Sequence, residues 1–147
     1  MSYFGALDIG ASALTAQRLR MDIISQNIAN ANTTRTQDGT PYRRRVVIFQ
    51  ESSDGIPFSE YLSESSKARY LGKGVKVSRI TEDSTPFKRV YDPGHPDADE
   101  DGYVEMPNVD VVTEMVNMIS ATRAYEANIT SINTTKSMAM KALEIGR

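Results

Sequence analysis

The chain has no cysteine and no tryptophan, and aromatic residues make up only 7% of its 147 positions. Without thiols there is no disulfide, no thiolate metal site and no cysteine nucleophile. Net charge is nearly absent as well, because 17 Lys and Arg stand against 19 Asp and Glu to leave -2. That balance gives no electrostatic basis for nucleic acid or an acidic membrane surface as a partner. No apolar run approaches the length of a membrane span. The first residues lack the basic-then-apolar order of a secretory signal peptide. Hydrophobic residues are 39% of the chain, below a typical globular domain, so a thick core within one subunit is not assured.

A local absence is more informative. No charged side chain occurs over residues 23–34 or over residues 127–135, although both lie in helix-patterned sequence. A solvated helix carries Glu, Lys and Arg on its wet face. These two stretches carry Asn, Ser and Thr, which are mediocre helix formers but can be desolvated far more cheaply than charges. The reading is two terminal helices that bury several faces, more than one small subunit can cover.

The first helix is expected over residues 5–31. Leu7, Leu14, Met21 and Ile28 recur every seven residues, and Ile24 and Ala31 follow three residues after the last two. That is a coiled-coil-like stripe. The last helix is expected over residues 110–145, with Asp110 as N-cap and Gly146 as stop. Val111, Met115, Met118, Thr122, Tyr125, Ile129, Ile132, Lys136, Ala139 and Leu143 follow 4,3 spacing, with Thr122 and Lys136 as its weak points.

Residues 35–107 differ in kind, holding all six prolines and most of the nine glycines. Residues 43–50 read as a strand around Val46, Val47, Ile48 and Phe49, and residues 74–80 as a second. Residues 51–67 are serine-rich and read as a loop; residues 91–102 read as a turn-rich surface segment. The fold class expected is therefore α+β. Residues 1–34 supply one helix of an antiparallel coiled coil, 35–107 a small strand and loop insert, and 108–147 the other helix. The hydrophobic gain of one helix pair does not clearly exceed the entropy of ordering both termini. The termini are thus expected to become fixed on assembly.

Candidate chemistry is sparse. Asp97, Asp99, Asp101 and Gly102 copy the opening half of a calcium loop, but Asn108 stands where a bidentate Glu is needed and Pro107 blocks the exiting helix. A calcium-regulated binding module is the alternative function; an acidic solvated turn is the simpler account. His95, the single histidine, lacks partners for zinc, and no nucleophile elbow supports a hydrolase. A turn histidine with a local hydrogen bond is expected. Arg43, Arg44 and Arg45 read as a solvated strand edge that discourages wrong pairing. Gly72, Lys73 and Gly74 are too short for a phosphate loop and read as a turn. No catalytic residue, metal or cofactor is expected.

Three segments carry a resemblance. SQNIANANT over residues 25–33 resembles the N-terminal signature of the bacterial flagellar axial proteins of the rod and hook group, and RAYEAN over residues 123–128 resembles their C-terminal signature. PFKRVYDPGHPDADEDGYV over residues 86–104, continuing to PNVD over 107–110, is similar to the proximal-rod members. The resemblance implies a non-enzymatic structural subunit whose terminal helices pair and pack into a helical, torque-transmitting shaft. It implies export by the flagellar type III apparatus without a cleaved signal, and a place in the periplasmic rod of the basal body. The implied partners are other copies of the chain, other rod proteins, the membrane-ring adaptor and the export apparatus; nucleic acid and small-molecule substrates are not expected. By the same resemblance Leu7, Leu14, Met21, Ile28, Met115, Met118, Ile129 and Ile132 form the helical seam. Asn27, Asn30, Asn128 and Asn133 are lattice contacts. Ile24, Val111, Arg123, Tyr125 and Leu143 complete the expected assembly interface.

Overall fold

The computed structural model describes residues 3–52 and 74–145. Along the chain come α1 (Tyr3–Ala29), β1 (Arg45–Glu51), β2 (Val75–Glu82), β3 (Lys88–Tyr91), β4 (Tyr103–Met106) and α2 (Val111–Ile145). The class is α+β, with two helices and two small antiparallel sheets, β1 with β2 and β3 with β4. The sense of the first sheet follows from its end bonds: Ser52 N–H donates to the Gly74 carbonyl at 3.0 Å, and Asp83 N–H to that of Arg44 at 2.8 Å. In the second, Lys88 faces Met106 and Tyr91 faces Tyr103.

Along α2 several hydroxyl side chains bond back to their own helix. Thr130, Thr134, Thr135 and Ser137 each donate to the carbonyl four residues back at 2.9 Å. Such back-bonding lets Ser and Thr sit inside a helix without reaching for water. α2 begins where Pro107 forbids a longer run. Asp110 caps it, accepting from the Thr113 hydroxyl and from the backbone N–H groups of Thr113 and Val112. These bonds, the hydroxyl's first and against a smaller opposing effect of burial, hold the Asp110 carboxyl below the ordinary aspartate range.

Several boundaries differ from the sequence reading. α1 closes at Ala29, before Ala31. β1 starts at Arg45 and runs on to Glu51, so the expected loop at 51–67 begins later, and its residues 53–67 lie outside the described residues. Gly72, Lys73 and Gly146 lie outside them too. The β3–β4 hairpin was not anticipated. It flanks the turn-rich segment with two four-residue strands, and every β3 side chain is exposed, so no burial alternation marks it.

The chain divides into two compact units. Residues 19–48 and 79–121 form one, with nearly all of the buried hydrophobic side chains among the described residues: Ile23, Ile24, Ala31, Tyr42, Val104, Val109 and Ala121. Ala31, Tyr42 and Val109 make its core cluster. The other unit comprises residues 1–18, 49–78 and 122–147. There, among the described residues, only Gly10 and Ala16 are buried. Gly10 is a point of close helix approach, since a Cβ on it would lie 2.7 Å from Cγ1 of Ile132. Gly74 has φ +94°, and a Cβ there would strike the Ser12 hydroxyl. That hydroxyl accepts from Val75 N–H at 3.2 Å and donates to the Ile9 carbonyl at 2.7 Å, joining β2 to α1.

Gly74→Ala is therefore expected to lower stability by about 1–3 kcal/mol, from backbone strain and loss of the Ser12 latch. Denaturant titration measures it, and an unchanged midpoint would contradict this account of the latch.

Candidate assembly surface

Asn27 lies in the unit formed by residues 19–48 and 79–121 and is 1% exposed. Its amide nitrogen donates to the Arg45 carbonyl at 2.8 Å and to Oε2 of Glu114 at 2.9 Å. Its oxygen accepts from the Tyr42 hydroxyl and from Arg45 N–H, both at 2.9 Å. Two donors and two acceptor sites are all an Asn side chain has, so Asn27 is wholly spent inside the chain. It is an internal joint of α1, the segment before β1, and α2, which corrects its expected role as a lattice contact.

Glu114 is also 1% exposed. Its Oε1 accepts from Nε and Nη2 of Arg44 at 3.0 and 2.7 Å, and from the Asn117 amide at 3.3 Å. Arg44 in turn reaches Asp83 Oδ2 at 3.3 Å. Burial works against the Arg44 charge, but the hydrogen bonds and charge of Glu114, and then those of Asp83, outweigh it and raise the guanidinium pKa. The basic run is therefore a solvated edge only in part, since Arg45 is exposed but Arg44 turns into the network. Arg44 is consumed by the buried carboxylate, Arg43 lies over the Phe87 ring at 4.3 Å, and Arg45 lies over Tyr42 at 5.8 Å. Burial lifts the Tyr42 phenol above its ordinary pKa, with a smaller opposing effect from Arg45.

Asn108 is a second joint. It accepts from Arg44 N–H at 2.8 Å and donates to the Asp83 and Thr85 carbonyls, each at 3.1 Å, and to the Thr85 hydroxyl at 2.8 Å. Asp83 accepts from Thr85 N–H at 3.0 Å. That bond is the largest cause holding the Asp83 carboxyl below its ordinary range, with burial opposing it and the Thr85 hydroxyl and Arg44 adding to it.

The expected interface residues fall into several groups. Ile24 is buried; Leu7, Leu14, Met21 and Ile28 on α1 are half-buried. On α2, Met118, Tyr125 and Ile132 are half-buried, whereas Val111, Met115, Ile129, Leu143 and Arg123 are exposed. The inward stripe of α2 keeps 4,3 spacing but runs through Glu114, Met118, Ala121, Tyr125, Asn128, Ile132, Thr135 and Ala139. Half of the expected stripe is thus displaced by one residue: Glu114 takes the place of Met115, and Ala121 that of Thr122. Asn30 and Asn128 bond back to the Gln26 and Ala124 carbonyls at 2.9 and 2.8 Å; Asn133 is exposed.

The displacement leaves an apolar face outside. In the unit formed by residues 19–48 and 79–121, Val112, Met115, Val116 and Ile119 are 65, 49, 61 and 55% exposed. Between Val111 and Thr122 the one charged residue is the buried Glu114. In the other unit Met138, Met140, Leu143 and Ile145 are exposed. Contiguous apolar surface of this kind marks a place where another molecule belongs.

The acidic turn offers no comparable site. Asp97 accepts from the Thr34 hydroxyl at 2.8 Å and meets Arg35 at 3.8 Å. His95 Nδ1 accepts from Asp97 N–H at 3.1 Å, the local bond expected of a turn histidine. Among the described residues no three His, Asp or Glu side chains converge to hold a metal ion. The calcium-regulated alternative has no support in this geometry.

Two tests follow from the network. Glu114→Ala is expected to cost about 3 kcal/mol, the low end for breaking a buried pair, because Arg44 keeps some solvent contact. Arg44→Met with Glu114→Leu is expected to recover most of that loss in chemical denaturation, and a double variant as unstable as Glu114→Ala would contradict it. Asp83 and Asp110 titrate lower in the folded chain than in the unfolded one. Their contribution is full above the ordinary aspartate value of 3.8 and is lost as pH falls through their depressed folded values. Asp83→Asn with Asp110→Asn is expected to flatten the acid limb of a stability-versus-pH curve, and an unchanged limb would contradict the assignment.

Comparison with known proteins agrees with the structural picture. Residues 7–36 match the family described as Flagella basal body rod protein, and residues 100–145 match Flagellar basal body rod FlgEFG protein C-terminal. Over its whole length the chain is 53% identical to the whole flagellar basal-body rod protein FlgC of Bacillus subtilis. It is 49% identical to that of Borreliella burgdorferi, over 99% of this chain and 98% of the relative, and 44% identical to that of Salmonella typhimurium over the full length of both. Helices with a network-locked joint, an apolar face left outside and full-length likeness to rod subunits lead to one conclusion: the chain belongs to the flagellar basal-body rod protein family, a structural subunit of the rod.

Proposed function

We propose that the chain is a subunit of the proximal part of the rod, and that it joins other copies of itself and other rod proteins through its terminal helices to form a torque-transmitting shaft. The observation that carries this reading is the exposed, charge-free face of Val112, Met115, Val116 and Ile119. Burying such a face against a neighbour removes apolar surface from water at about 25 cal/mol per Å², and no charge has to be desolvated to do so. In this reading α1 and α2 pair as an antiparallel coiled coil. Residues 1–34 and 108–147 serve as the two coiled-coil arms, and residues 35–107 as the insert that braces neighbours. Val111, Met115, Ile129 and Leu143 lie outside and contribute to contacts between subunits.

Torque borne by many such contacts in parallel needs no reacting group, so the subunit acts without catalysis. Export through the flagellar type III apparatus, a periplasmic position and contact with a membrane-ring adaptor complete the reading. They rest on the resemblance of residues 25–33, 86–104 and 123–128 to the family's segments.

Val116→Asp with Ile119→Asp tests the assembly. Both positions are solvent-facing, so folding stability is expected to move by no more than about 0.5 kcal/mol per site. Incorporation into basal bodies and swarming motility are expected to be lost. Normal motility in cells producing the variant would contradict the reading.

A further inference from the structure

The rotation of α2 runs against its own hydrophobic pattern. In the unit formed by residues 19–48 and 79–121, a carboxylate at position 114 is 1% exposed while the methionine beside it is 49% exposed. Apolar burial alone favours the opposite choice. Turning α2 by one residue, about 100°, would bring Met115 inward and carry Glu114 to water. Apart from Asn27, the other buried side chains that the two helices contribute to this unit are Ile23, Ile24 and Ala121. They are aliphatic, and their contacts are non-directional.

We propose that the Asn27, Arg44 and Glu114 network is a phase pin: it sets the rotation and register of α2 against α1 and thereby keeps the apolar face outside. Each member is held from more than one direction. Glu114 takes Asn27 on Oε2 at 2.9 Å and Arg44 on Oε1 at 2.7 Å. Asn27 is fixed by both backbone groups of Arg45, at 2.8 and 2.9 Å, and by the Tyr42 hydroxyl. Arg44 is fixed by Asp83 on its far side and by Asn108 at its backbone. A slip of one turn, about 5.4 Å, breaks the bonds from Asn27 and Arg44 to Glu114 at once. A buried carboxylate left without partners disfavours that arrangement by roughly 10²–10³-fold. The intact network adds little stability over well-packed apolar side chains of similar volume, so what it supplies is specificity of arrangement. The inference deepens the proposed assembly, because the face it holds outward is the one assigned to neighbouring subunits. Its test needs no partner and therefore fails or succeeds separately.

Methionine oxidation by hydrogen peroxide reads the rotation directly. The thioether takes one oxygen from the peroxide and releases water, at a rate set by access, and peptide mass spectrometry assigns each site. Met138, 67% exposed, serves as the internal reference in the full-length chain. Asn27→Leu with Arg44→Met leaves Glu114 without its inner partners. The expected result is a folded chain in which Met115 oxidises several-fold more slowly relative to Met138 than in the parent. Adding Glu114→Leu gives an apolar residue at the inward position. This triple variant is expected to melt as the parent does, with Met115 oxidising at a rate between those of the parent and the double variant, because apolar residues then stand at both 114 and 115 and no network chooses between them. A folded double variant with unchanged Met115 oxidation would overturn the pin, since packing alone would then set the rotation. A triple variant that fails to fold would overturn it as well, since the network would then be a source of stability.

Discussion

The described structure depends on one buried carboxylate. Glu114 sits in the first turn of α2 with almost no solvent contact, and it is tolerable there only because Arg44 neutralises it and Asn27 completes its hydrogen bonding. Removing two charges from water is expensive, and their attraction in the interior offsets this only with good geometry and satisfied neighbours. Arg44 meets that condition through two donors on Glu114 and a third on Asp83. The result is a joint among the end of α1, the start of β1 and the start of α2. Asn108 extends it to the segment after β2 by tying Arg44 to Asp83 and Thr85.

This joint explains why the two compact units differ so much. Residues 19–48 and 79–121 hold a core cluster, the saturated Asn27, the multiply bonded Asn108 and the ion pair. The other unit has close helix approach at Gly10 and a serine latch at Gly74, but among its described residues only Gly10 and Ala16 are buried. Stability in proteins follows buried apolar contact and protected hydrogen bonds. Among the described residues, buried side chains and saturated hydrogen bonds are concentrated in the unit formed by residues 19–48 and 79–121. In the proposed assembly, a rod subunit built this way carries a fixed joint and offers the exposed faces of its helices to neighbours.

The helices, their N-cap at Asp110 and the α+β class were legible in the sequence because each has a local signal: a 3.6 period, a capping residue, a proline boundary. The family signatures over residues 25–33, 86–104 and 123–128 were legible for the same reason, as contiguous strings. The rotation of α2 was not. A reading based on apolar residues selects Met115, Thr122 and Ile129, whereas the structure turns Glu114, Ala121 and Asn128 inward. Charge, smallness and amide polarity hide those positions from any hydrophobic count. Arg44 was misread because its partner lies 70 residues away, and a long-range ion pair leaves no local trace. Asn27 reads as a lattice contact only through the family resemblance, and a neutral amide in a charge-free stretch carries no local sign that it is an internal joint. The β3–β4 hairpin escaped because its strands are four residues long and β3 buries nothing.

The joint around Glu114 is complete within one chain, whereas in the proposed assembly the outer faces of the helices are covered by neighbours. Hydrogen exchange of the isolated chain, set beside that of assembled rods, addresses this contrast most directly. The account predicts slow exchange for amides around Asn27, Arg44 and Glu114 in the isolated chain, fast exchange over residues 122–145, and slow exchange along all of α2 after assembly. Equal, strong protection along the whole of α2 before any assembly would contradict it.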